Sequence, residues 1–217
     1  MSPLEAPLLD LHVLAGFVAL LAGLVAFGTE KGGPRHRRAG RTFVYAMAVV
    51  SATAVALFAL DPTGLRRFLA LVAVFSFYFA FSGARTLSRK RPDDDPTTTD
   101  WVAVGLFGLA SAGLLVQAGL WFLRGTDFAV VMLVFGGLGT VFALGDVRRF
   151  RSEREPGAWL GDHVVRMGAG YIATVSAVSA VNFLFLPAAL RWLWPTLLGT
   201  PLLVVLQRRY ERRFGLG

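Results

Sequence analysis

Cysteine is absent from the 217-residue chain, which removes disulfides, thiolate nucleophiles, iron–sulfur ligation and Cys-type zinc sites in one step. Histidine is scarce, with only His12, His36 and His163. A zinc hydrolase needs three or four converging N, O or S ligands, and these three histidines divide between opposite faces of the arrangement derived below. The only lysines are Lys31 and Lys90, both in polar connectors, so no span offers an amine for a retinal Schiff base. Charged residues make up 17% of the chain, against roughly 25% in soluble domains. There is no phosphate-binding Gly-Lys loop and no GxSxG elbow, so no enzyme class is indicated. No polar stretch is long enough to fold separately, and residues 1–217 read as one domain.

What fills the chain is apolar sequence: 55% of residues are hydrophobic and mean hydropathy is +0.58. A helix crossing a bilayer needs about 20 apolar residues. Seven runs approach that length, at 8–27, 42–60, 68–84, 102–123, 128–144, 163–185 and 192–206. The sequence predicts an all-α integral membrane protein, a bundle of seven transmembrane helices. The first run has no basic region before it and no small-residue cleavage site, so it reads as a retained span. Asp61-Pro62-Thr63-Gly64 is a tight turn, and one of the threonines or Asp100 in the polar segment 85–100 caps the fourth helix.

The charges fall unevenly between the two sides of this bundle. The net charge is +8. Eighteen of the 22 Lys and Arg lie in the first, third and fifth connectors and the tail, with Arg166 counted in the fifth; Arg66, Arg67, Arg124 and Arg191 are the other four. Positive residues stay in the cytoplasm, which places the N-terminus outside and the C-terminus inside. Cations in short connectors meet anionic headgroups, so membrane lipids are the expected partners. No clustered soluble basic face is present, which argues against nucleic acid. Trp101, Trp121, Trp159, Trp192 and Trp194 fall at span ends, where an interfacial aromatic belt belongs.

Ionisable residues at membrane depth are functional candidates by default. On a helix, His163, Arg166, Met167 and Gly170 share one face, which Tyr171 roughly continues. His36 and Arg41, in the basic stretch 29–47, approach the same side. A ligand site of His36, Arg41, His163, Arg166 and Tyr171 follows, with the arginines supplying charge and the histidines exchanging protons or hydrogen bonds. The plainer reading has Asp162 capping its helix and Arg166 reaching to headgroups. Asp10 and His12, at the outer end, form a candidate proton relay, although spacing of two does not set them face to face. Asp146 reads as a structural ion-pair partner for Arg148, Arg149 or Arg166. Asn182, Gln117, Ser176 and Ser179 read as hydrogen bonds between helices. A metal is expected only as haem b, for which His36 and His163 are the sole axial pair; otherwise no cofactor is expected.

The pattern His12-x3-Gly16-x6-Gly23, Lys31-Gly32-x3-His36-Arg37-x2-Gly40-Arg41 and Met47 resembles a group of uncharacterised bacterial multi-pass membrane proteins with a domain of unknown function. His163-x2-Arg166-Met167, Trp194-Pro195-Thr196-x2-Gly199-x-Pro201 and Arg209-Tyr210 are similar to the second half of such proteins. The resemblance implies a bacterial inner membrane and no known activity. Two-haem cytochromes b are a weaker likeness, since they need four intramembrane histidines. The leading expectation is binding or transport of a small or lipidic anion at the cytoplasmic side. The alternatives are a redox protein holding one haem b or a quinone, and a structural or assembly subunit.

Overall fold

The computed structural model describes residues 3–153 and 155–213. Among these, seven helices are long and apolar enough to cross a membrane, and there is no strand. They are α1 (Glu5–Gly28), α2 (Pro34–Leu60), α3 (Gly64–Arg85), α4 (Thr98–Phe122), α5 (Ala129–Phe150), α6 (Ala158–Asn182) and α7 (Ala188–Arg213). A single 3-10 turn, Thr86–Ser88, follows α3.

Local chemistry sets where these helices begin. Pro34 occupies the first turn of α2 after an extended Gly33, where its missing N–H is no loss. The Thr63 side chain accepts from Arg66 N and caps α3. Thr97 and Asp100 form a reciprocal capping box on α4. Gly157 precedes α6 with φ 83°, a left-handed conformation that glycine adopts without penalty.

Several helices therefore extend beyond the apolar runs. α2 begins at Pro34 rather than 42, because arginine and alanine are good helix formers that hydropathy alone does not count. The basic stretch is thus largely helix, and His36 lies in the first turn of α2 instead of in a loop. α5 continues to Phe150 through its arginines, and α6 starts at Ala158. α6 stops at Asn182 rather than 185, since Pro187 biases the residues before it away from helix.

α1 packs on α2, α4 on α5 and α6 on α7, while α3 joins these pairs through α2, α4 and α6. α3 is the most enclosed of the seven. Its Phe68, Phe75 and Phe79 meet Phe107 of α4 and Phe135 of α5 in an aromatic core. A second core of Ala19, Ala22, Phe43, Met47 and Ala80 joins α1, α2 and α3. Gly170 lets α6 approach closely, since a Cβ there would meet Ala80 N of α3 at 3.2 Å. Trp192 belongs to the aromatic core, packed on Phe68 at 5.1 Å, and not to an interfacial belt. Residues such as Leu14, Phe17, Leu109, Phe122 and Leu198 point outward and exposed. An apolar exterior of that extent is compatible with a polytopic membrane protein.

Candidate functional site at the basic end

The start of α2, the end of α3 and the start of α6 converge at the end of the bundle that carries most of the cations. They bring His36 and His163 together, with ring centroids 6.4 Å apart and planes at 73°. His36 Nδ1 lies 3.0 Å from the carbonyl oxygen of Ala26, at the end of α1. His163 Nδ1 lies 2.8 Å from that of Gly83, at the end of α3. A carbonyl oxygen only accepts, so Nδ1 carries the hydrogen in both rings. In the neutral form of either ring, Nε2 then holds a lone pair. Backbone carbonyls fixing Nδ1 are the usual outer support of a metal-ligating histidine.

The pair sits among cations and aromatic rings. Lys31 Nζ donates to the carbonyls of Ala26 and Phe27 at 2.9 and 2.7 Å, closing the C-terminus of α1. Partial desolvation draws its pKa below the ordinary lysine value. Lys90 stands 4.8 Å over the Trp159 ring. Tyr171 lies further along α6, 5.1 Å from the Phe27 ring and 6.3 Å from Phe43. Its ring covers Gly23, where a side chain would collide with it.

Arg166 has a different partner. Its two terminal nitrogens bind the two carboxylate oxygens of Asp146, and Nη1 also donates to Ser82 Oγ at 3.1 Å. Tyr78 donates its hydroxyl to the same carboxylate. The guanidinium is thereby neutralised, while Arg41 stands exposed on α2. Of the five residues expected to form one ligand site, the structure joins the two histidines, places Tyr171 beyond them and engages Arg166 elsewhere. Asp146 is the structural ion-pair partner expected. Asp162 is not a cap: it lies past the first turn of α6 and pairs with Arg149. Asn182 does not bridge helices. It is exposed and donates to Val178 O of its own helix at 2.8 Å, because α6 ends there. Gln117 and Ser179 do bridge, to Gly64 O and from Trp194 Nε1, both at 2.7 Å.

At the opposite end, His12 Nδ1 is 2.9 Å from Thr53 Oγ1. That hydroxyl donates to backbone carbonyls of its own helix, so it accepts from the imidazole. Asp10 is exposed and no hydrogen bond joins it to His12, as the two-residue spacing implies. Sequence reasoning passed over the buried Glu5, which pairs with Arg66. It also passed over Tyr78, Ser82 and the Arg85–Asp100 pair. Glu5 and Arg66 lie on the same side in the alternation of spans, which is the signal that would have matched them.

Two cavities flank this machinery. A small one lies between the Asp146–Arg166 pair and Arg89, with Pro96 and Phe150 also in its wall. A larger apolar one, about 200 Å³, is lined by Phe75, Phe135, Phe142, Ala169 and Ile172, with Thr200 among its few polar groups. Among the described residues, no group of three or more His, Cys, Asp or Glu is placed to hold a metal ion. Comparison with protein-family models, with curated proteins and with solved structures gave no match to this chain.

Proposed function

We propose that this chain is a multi-pass protein of a bacterial inner membrane that carries electrons through one haem b held between His36 and His163 at its cytoplasmic end. The observation that carries the reading is the pair itself: two rings with centroids 6.4 Å apart and both Nδ1 atoms fixed on backbone carbonyls. Two imidazoles bound in line to one metal through bonds of about 2.0–2.1 Å have ring centres about 6 Å apart. A bare ion would lack a third protein ligand among the described residues, whereas a haem would need only His36 and His163 from this chain and would supply one-electron chemistry there. Lys31 and Lys90 supply cations near the pair for the haem carboxylates, and Phe27 and Tyr171 supply apolar surface. A quinone, the other redox group that suits this chain, would take the apolar cavity beside Phe75 and Ile172.

The test is a visible spectrum of detergent-purified protein from haem-supplied cells, oxidised and then dithionite-reduced. Sharp Soret and alpha bands are expected in the native chain and absent from His36→Ala and His163→Ala. A blank native spectrum overturns the haem reading. It leaves the second reading, an anionic headgroup held by Lys31, Arg35, Arg37, Arg38 and Arg41, which the exposure of Arg41 on the first turns of α2 favours. That binding would weaken with salt.

A further inference from the structure

We infer that the small cavity between α5, α6 and the segment just after α3 is a binding site for one monovalent inorganic anion of the halide class. Its volume is about 20 Å³, room for one water-sized occupant. Arg89, Arg149 and Arg166 line it, with Asp146, Asp162 and Thr86. Three guanidinium groups therefore stand in its wall beside two carboxylates. Beside it, Arg85 and Arg89 share Asp100.

The decisive atom is Arg166 Nε. Arg166 is 4% exposed, and its terminal nitrogens are committed to Asp146 and Ser82. Nε is buried too, with no hydrogen-bond partner among the described residues. A buried, unsatisfied donor on a charged group is costly, and Arg166 lines a cavity able to hold an acceptor. The carboxylates on the wall are already engaged: Asp146 accepts from Arg166 and Tyr78, and Asp162 accepts from Arg149. A cation would meet three arginines. A halide would accept from Nε beside the three guanidinium groups, and sulfate is too large for the space. Thr86 donates its hydroxyl to Gly83 O at 2.7 Å, so it closes the wall without competing for Nε.

The site is separate from the histidine pair and its test does not require haem. The full chain in detergent would be dialysed into gluconate, then titrated with chloride, bromide or sulfate at constant ionic strength while its thermal midpoint is followed. Binding to the native state alone raises the midpoint saturably with ligand. The expected result is a saturable rise of several degrees with chloride and bromide and none with sulfate. Arg149 is more than half exposed, so Arg149→Gln is expected to fold and to need about tenfold more chloride, equivalent to about 1.4 kcal/mol of binding. Identical midpoints in all salts would assign the cavity to water and overturn the inference. A chloride effect unchanged in Arg149→Gln would place the anion elsewhere and overturn it equally.

Discussion

Arg166 of α6 and Asp146 of α5 meet end to end, both terminal nitrogens on both carboxylate oxygens, with 5% and 1% of their side chains exposed. Removing one member leaves a buried charge unpaired, which costs about 3–5 kcal/mol, whereas replacing both by apolar residues is often near neutral. Arg166→Met and Asp146→Leu are each expected to lower the thermal midpoint sharply, and the double variant to recover much of the loss. Thermal unfolding of the four proteins in one detergent closes the cycle. Additive losses would mean that the two side chains do not support one another.

Gly83 couples this pair to the histidines. A Cβ at Gly83 would lie 2.9 Å from the Met167 side chain and 3.1 Å from Arg166 Cβ. The same residue's carbonyl holds His163 Nδ1. Gly83→Val forces α3 and α6 apart, and overpacking of that kind costs about 1–3 kcal/mol. It is also expected to weaken any ligand of the His36–His163 pair more than Gly170→Ala does, although both glycines lie at the α3–α6 contact. Haem content per protein, measured beside the thermal midpoint, separates the two effects. Equal loss of both in the two variants would make Gly83 a packing residue only.

How far the residues themselves disclosed this arrangement differs from place to place. Seven apolar runs gave seven helices because run length is a local property. The ends were misplaced wherever arginine or a cap extended a helix beyond its apolar part, as at Pro34 and Ala158. His163 and Arg166 share a face by spacing, yet their partners differ. Arg166 turns to Asp146 and Ser82 while His163 turns to Gly83, a split decided by how α3, α5 and α6 pack, which no spacing encodes. The meeting of His36 with His163 could be suspected but not placed, because it depends on α2 starting early. The pairing of Glu5 with Arg66 depends on the starts of α1 and α3 lying near one another, which is again a matter of tertiary contact.

Asp100 serves two structures at once. It accepts from Thr97 N at 2.9 Å in the α4 capping box, and it binds Arg85 through 3.0 and 2.9 Å contacts at the end of α3. Asp100→Asn keeps the shape and loses the charge. Loss of a cap costs about 0.5–2 kcal/mol, and hydrogen bonds to charged groups contribute about 1.5–3 kcal/mol. The expected destabilisation is therefore larger than that of Thr97→Ala, which removes one cap oxygen and one contact to Arg85. Thermal midpoints of the two variants test the order. A smaller effect for Asp100→Asn would mean that the Arg85 pair contributes little.

The absence of cysteine makes the orientation directly measurable, since any introduced thiol is the only one in the chain. Thr126 lies exposed in the turn between α4 and α5, and Ser152 lies exposed just beyond α5. If α5 crosses the bilayer, these two positions are on opposite sides of it. By the positive-inside rule, the excess of Lys and Arg at the Ser152 end predicts that this end faces the cytoplasm. In intact cells, a membrane-impermeant maleimide is expected to label Thr126→Cys and to label Ser152→Cys only after permeabilisation. Ser152 donates only an exposed hydroxyl to Arg148 O, so its replacement should leave the fold unchanged. The reverse pattern would invert the bundle and put the histidine pair outside. Labelling of both from one side would mean that α5 does not span, and the seven-helix crossing would fall with it.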